Sequence, residues 1–279
     1  MVGAFPGQTL DRCRGESMRA KSPWLALLTI IVVLFMLSPM LLSILAALVN
    51  QYSKGLESGL TLQWLSQVFD QYGSTVVASL LIAATCAAAN ALIGVPCAYA
   101  LARAKGRWAK TFEELLTLPV AVPGLATGLA LILTYGEWRG FRQSYAFILV
   151  GHMIFTLPFM VRTVSAAFQR QDISAIEEAA RSLGASFFTR FMTVLVPAVL
   201  PSIVAGALMV FTLSVGEFNL TWLLHTPLTR TLPVGLADSY ASMRIEVGSA
   251  YTLMFFLVVL PLLWLLNIVA NMTQKYYGT

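Results

Sequence analysis

The sequence predicts an all-α integral membrane protein: six transmembrane helices, with a further helix lying on the cytoplasmic surface between the fourth and the fifth. Three observations predict it. First, apolar residues make up 58% of the 279 positions and charged residues only 11%, against about 25% charged in soluble domains. The mean hydropathy is +0.76. A water-soluble fold of this length cannot hide that much apolar surface, so lipid is its solvent. Second, the stretches 22–53, 71–102, 115–136, 143–161, 191–216 and 247–274 each run for 19 residues or more without Asp, Glu, Lys or Arg, and no other charge-free run exceeds 12. About 20 apolar residues cross a bilayer core as a helix. Barrel strands alternate apolar and polar residues, and these runs do not, so helices are predicted.

The third observation is the placement of charge. With both termini cytoplasmic, that side carries Arg12, Arg14, Arg19, Lys21, Arg103, Lys105, Arg107, Lys110, Arg162, Arg170, Arg181, Arg190 and Lys275. The far side carries Lys54, Arg139, Arg142, Arg230 and Arg244, so 13 of the 18 cationic residues lie inside. This is the positive-inside pattern. The net charge of +5 therefore orients the chain in a bilayer, and no nucleic-acid partner is expected.

Residues 1–21 read as a short polar tail, with Met18 a second candidate start, and 22–279 as one transmembrane domain. The first crossing covers about 24–49. Its apolar run is longer than the ~7–15-residue core of a signal peptide and lacks a convincing cleavage site, so a retained anchor is expected. The segment 50–73 reads as an outer loop with a short amphipathic helix through Leu62, Leu65 and Phe69.

The second crossing, about 75–101, carries Ser79, Ala83, Ala87 and Ala91 at intervals of four, a stripe that lets another helix approach closely. The third, about 115–135, begins with Pro119, Pro123 and Gly124, and two prolines so close prevent a straight, fully bonded start. Gly124 and Gly128 form a GxxxG pair there. The fourth covers about 144–162, with His152 and Pro158 inside it, the fifth about 194–215 and the sixth about 250–272. Between the last two lies a long outer segment, 217–248. Cys13, Cys86 and Cys97 have no metal-ligand spacing and read as small packing residues.

The cytoplasmic segment 170–192 is different in kind. Ile176, Ala179, Ala180, Leu183, Phe187 and Phe191 fall at steps of three and four, one apolar helical face, opposite Glu177, Glu178, Arg181 and Ser186. Glu177 and Arg181 are spaced for an i,i+4 ion pair. Gly184 interrupts the helix and permits a sharp turn, predicting two short helices that meet there.

Glu178-Ala179-Ala180, then Gly184, then Val194, Val196 and Pro197 resemble the EAA loop of permease subunits in binding-protein-dependent ABC importers. Valines stand where isoleucine and leucine are commonest. Tyr99-Ala100-Leu101-Ala102-Arg103, the run from Leu118 to Gly124, Thr156-Leu157-Pro158-Phe159, Gly216-Glu217-Phe218 and Thr231-Leu232-Pro233 also look like this family, more its polyamine, iron, thiamine and phosphonate branch than its sugar branch. The resemblance covers about residues 20–275.

It implies a multi-pass permease of a bacterial inner membrane whose EAA segment is a coupling helix. Glu178 would offer a carboxylate to a basic group on a cytoplasmic ATPase. Ala179 and Ala180 would allow close approach beside Arg181, Gly184 would set the bend, and Pro197 would end the motif. The partners implied are two copies of the ATP-binding subunit, a second permease chain (a copy or a paralogue), and a periplasmic solute-binding protein docking near 222–246. No lysine of this chain follows a glycine, so no P-loop is present. The chain is expected to be a transport subunit rather than an enzyme and to bind no cofactor or metal, with ATP and Mg on the partner.

Charge is nearly absent from the six spans, Arg162 standing at the cytoplasmic end of the fourth, and none lies at a helix centre, where it would mark a site. Asn90, Ser214 and Glu217 remain as candidates for the translocation path, each with an alternative in ordinary packing or a helix end, and His152 reads as a packed neutral histidine. The competing classes are a secondary transporter or channel working without an ATPase, and an intramembrane enzyme. His152, Glu217 and Asn90 match no catalytic spacing for the latter.

Overall fold

The computed structural model describes residues 23–104 and 106–277. The predicted tail 1–21, with Cys13, Met18, Arg12, Arg14, Arg19 and Lys21, lies outside the described residues, as do Lys105 and the side chain of Lys275. Among the described residues the chain is helical, with no strand beyond one isolated bridge, Val49 to Leu60.

The described residues up to 42 and those from 43 onward form two compact units. The described part of the first belongs to α1 (Pro23–Leu48), a helix without charge in which Thr29 and Ser38 return their hydroxyl hydrogens to the carbonyls of Leu25 and Phe35. Such back-bonding lets a hydroxyl sit in an apolar helix without an external partner.

In the second unit a 3₁₀ turn, Tyr52–Ser58, leads into α2 (Gln63–Arg103), 41 residues long. Here the structure differs from the predicted outer loop. Residues Leu65 and Phe69 do lie on a helix, but it runs unbroken into the second apolar stretch. Gly73 stands at the join, and a single interior glycine costs only about 1 kcal/mol relative to alanine. The indole of Trp64 donates to the Val49 carbonyl at 2.9 Å and ties the start of this extension down.

The third apolar stretch is broken. Helices α3 (Arg107–Leu116) and α4 (Leu118–Ala121) meet α5 (Gly124–Tyr135) at 99°. Pro123 is the cause: it has no N–H to donate and pushes Val122 out of helical geometry, to φ −82°, ψ 133°. After the short α6 (Arg139–Arg142), α7 (Tyr145–Phe168) crosses the unit with Pro158 inside it. Next come α8 (Gln171–Ser182), α9 (Phe187–Thr189), a π turn over Arg190–Leu195, α10 (Val196–Ala198) and α11 (Leu200–Val215). The run Phe187–Ala198 meets α11 at 70°, where Val199 leaves helical geometry just ahead of Pro201. The chain closes with α12 (Asn219–Leu224), α13 (Leu232–Ala241) and α14 (Ile245–Tyr277). Among the described residues four helices are long and apolar enough to cross a membrane, and up to six if each bent pair is one span.

The core is built by α2, α7 and α11. Buried Met160 of α7 sits between Gly94 of α2 and Gly206 of α11; a Cβ on either glycine would lie 2.8 or 2.9 Å from its side chain. The small stripe on α2 packs as expected: Ser79, Ala83 and Ala87 are buried, and the Ser79 hydroxyl accepts the Leu232 backbone N–H. A second cluster joins α13 and α14 to α2 around Tyr251 and Leu232.

Candidate functional site

The segment 170–192 forms around α8. Asp172 lies in its first turn and pairs with Arg170 at 2.8 Å. At the other end Gly184 adopts φ +80°, in the left-handed region. Its N–H donates to the Arg181 carbonyl at 3.0 Å, and that of Ala185 to Ala180 at 3.2 Å. These two bonds are the Schellman ending, so the glycine terminates α8 and turns the chain into α9, as its place in the sequence predicts. Ser186 then caps α9 by accepting the Thr189 N–H.

Two adjacent carboxylates divide here. Glu178 is exposed and makes no ion pair among the described residues. Glu177 points inward: its side chain is 15% exposed, one oxygen accepts Arg103 Nε at 2.7 Å and the other the Tyr99 hydroxyl at 2.5 Å. The predicted Glu177–Arg181 pair is therefore corrected to Glu177–Arg103, because α2 brings a guanidinium closer than the next turn of α8 does. Arg181 is exposed and lines a polar cleft with Arg103, Ser174, Glu177, Glu178 and Arg190.

The apolar face predicted for this segment also splits. Of that face Phe191 is buried, while Ile176, Ala179, Leu183 and Phe187 are exposed, Leu183 at 89%; Ile173, one turn ahead of Ile176, is buried as well. Ala180 and Pro197 are half-buried. Glu178, Ala179, Arg181 and Leu183 thus form one open surface, while Glu177 and Ile173 hold the helix to the body.

The three path candidates, separate in sequence, meet inside the unit as parts of one hydrogen-bonded chain. Asn90 is fully buried, and its Nδ2 donates to Thr156 Oγ1 at 2.7 Å. The Thr156 hydroxyl donates to the His152 carbonyl. The His152 ring bonds Ser214 Oγ through Nδ1 and Thr221 Oγ1 through Nε2, both at 2.7 Å. The Thr221 hydroxyl and N–H both donate to Glu217 Oε2, at 2.9 Å, and the Leu220 N–H to Oε1 at 3.0 Å.

The direction of these bonds follows from Glu217, whose oxygens accept. Thr221 donates to it and so accepts from His152 Nε2–H, while Nδ1 faces the Ser214 hydroxyl, so both ring nitrogens have a partner. Glu217 caps α12 at its start, where a negative group meets the positive end of the helix dipole. Arg142 caps the other end, donating to the carbonyls of Leu224 at 2.6 Å and Leu223 at 3.2 Å. Glycines admit this short helix. A Cβ on Gly128 would lie 3.2 Å from Leu223, and one on Gly151 would lie 2.6 Å from Leu224. Gly124, the other member of the predicted GxxxG pair, also faces α12: a Cβ there would lie 3.3 Å from Asn219 and from the Leu220 backbone N. Ser214 is 4% exposed, and Asn90 Oδ1 has no partner among the described residues.

Sequence reasoning left Arg103, Tyr99, Thr156, Thr221 and Arg142 without roles. One signal was present: Tyr99 and Arg103 are four apart and so share a helical face.

Residues 90–275 match the family described as the binding-protein-dependent transport system inner membrane component. The putrescine transport system permease protein PotI of Escherichia coli K12 is 28% identical over 82% of this chain and 83% of its own length. The molybdenum transport system permease protein ModB of Mycobacterium bovis is 30% identical over 71% of this chain and 80% of its own. Among solved structures, a bacterial alginate ABC transporter in complex with an alginate pentasaccharide-bound periplasmic protein has a chain that superposes with a TM-score of 0.67 at 15% identity, over 93% of this chain and 97% of that one. At that identity the likeness shows the fold.

Proposed function

The chain belongs to the family of binding-protein-dependent transport system inner membrane components, and from that premise we propose how this permease subunit of an ABC importer works. Each bent pair is one crossing, which makes six, with both termini cytoplasmic. Helix α8 lies between the fourth and fifth crossings as the coupling helix. Glu178, Ala179 and Arg181 dock into a groove of a cytoplasmic ATPase, Gly184 sets the bend, and Pro197 begins the return into the membrane. ATP and Mg are held by two copies of that ATPase, not by this chain. Closure of the ATPase pair drives the coupling helices, and the crossings rock between inward- and outward-facing states. A second permease chain completes the path.

The observation that carries this is the split between Glu177 and Glu178: one carboxylate ties α8 to the body, and its neighbour stands free on an open surface. A loop without a partner has no need of an exposed, part-apolar face held in place from behind.

A periplasmic solute-binding protein docks on the outer face. Much of 222–246 is packed inward, including Leu224, Leu232, Val234 and Ser239, so docking falls to the exposed turns at Leu228 and Met243, 77% and 85% exposed. The solute is a small polar molecule of polyamine, phosphonate, iron or thiamine type. The differing solutes named for PotI and ModB support taking its identity from the binding protein.

The tagged chain, extracted from membranes, is expected to bring an ATPase subunit with it. Glu178→Lys is expected to reduce the recovered ATPase at least tenfold, the loss that follows when a charge-assisted contact becomes a repulsion. Full recovery with Glu178→Lys refutes docking through this carboxylate.

A further inference from the structure

We infer that Arg103, Tyr99 and Glu177 form a clamp through which motion of α8 enters α2 and α7 together, making Glu177 a positioning residue for transport distinct in role from Glu178. This rests on the coupling role proposed for α8.

Arg103 is the last residue of α2, and its guanidinium reaches three acceptors on two other helices. Nε donates to Glu177 of α8 at 2.7 Å. Nη1 donates to the carbonyl of Phe168, the last residue of α7, at 2.9 Å, and to Ser174 Oγ of α8 at 3.0 Å. One turn back on α2, the Tyr99 hydroxyl donates to the second oxygen of Glu177. Tyr99 in turn is enclosed by aromatic rings: Phe168 of α7 at 5.5 Å, Phe187 of α9 at 5.8 Å and Phe191 of the π turn at 5.4 Å. Behind it, Phe168 and Phe191 are buried.

The ends of α2 and α7, Ser174 and Glu177 of α8 and the start of the run into α11 thus share one junction of short polar bonds and ring contacts. A planar guanidinium can hold several acceptors in fixed directions, which a lysine ammonium on a flexible stem cannot. Packed junctions shift as units rather than stretching. A force applied at Glu178 is therefore carried by its neighbour Glu177 into two long helices in the same displacement. Without the clamp, α8 follows the ATPase while the helices lag, and ATP is spent without transport.

The test uses the whole transporter in proteoliposomes, with ATPase, second permease chain and binding protein present, and reads solute imported per ATP hydrolysed. Glu177→Gln and Arg103→Lys are expected to keep the ATPase bound and to lower that ratio about tenfold, the scale of one charge-assisted bond. Tyr99→Phe, which removes only a hydroxyl and keeps the rings, lowers it two- to threefold (~0.5 kcal/mol). Exchanging the charges, Arg103→Glu with Glu177→Arg, recovers part of what either change alone loses. An unchanged ratio in both Glu177→Gln and Arg103→Lys overturns the clamp. So does loss of ATPase binding in Glu177→Gln, because the carboxylate would then be a docking contact. Failure of the unmodified chain to bind any ATPase would instead sink the coupling role itself.

Discussion

Gly184 ends α8 through a single backbone angle. Its φ of +80° lies where L-residues other than glycine, and to a lesser degree Asn and Asp, pay about 1–2 kcal/mol. The space around it is open, with nothing within 4 Å of where a Cβ would stand, so any cost of substitution is conformational rather than steric. Gly184→Asn is therefore expected to retain most transport. Gly184→Val, β-branched and poorly suited to this region, should lose most of it while inserting normally into membranes. Equal transport by the two variants would show that the turn geometry is not what matters there. The glycine's role was legible because it depends on neighbours within four residues. Glu177 was not. Its partners lie 74 and 78 residues back on α2, and only the local i,i+4 alternative to Arg181 was visible.

At the scale of elements, α12 is the most informative. Six residues are too few for a helix to be stable on its own. Glu217 and Arg142 complete its two ends, and Gly128 and Gly151 let it seat against α5 and α7. Replacing Glu217 by Ala leaves the Leu220 and Thr221 N–H groups and the Thr221–His152 chain without their acceptor, at a cost of about 1–3 kcal/mol. Glu217→Gln keeps an oxygen and should cost less, within the ~0.3–1 kcal/mol typical of a charge at a helix end. Thermal unfolding of the detergent-solubilised chain checks the order: unmodified, then Gln, then Ala. An Ala variant as stable as the unmodified chain would contradict the capping role.

The elements also show which patterns local sequence carries. Charge-free runs mark where helices lie, and Pro123 marks where one breaks, because a missing N–H acts on its own turn. The extension of α2 back to Gln63 was hidden by Asp70 and the polar residues around it, which read as a loop although nothing there prevents a helix. The meeting of Asn90, His152, Ser214 and Glu217 depends on the packing of α2, α7, α11 and α12, and no periodicity within one helix announces it.

At the scale of the whole molecule, the chain carries no P-loop lysine and offers an exposed acidic helix backed by a rigid junction. The function proposed above makes of these a path that is worked from outside, by an ATPase acting on α8. The measurement that tests this most directly is solute uptake by proteoliposomes holding the permease pair and binding protein, with the ATPase subunit added or omitted. Uptake is expected only with the ATPase and ATP together, and should fall at least tenfold for Glu178→Lys, the repulsion of a like charge at the docking surface. Undiminished uptake by the permease chains alone, without ATPase or ATP, would contradict the account.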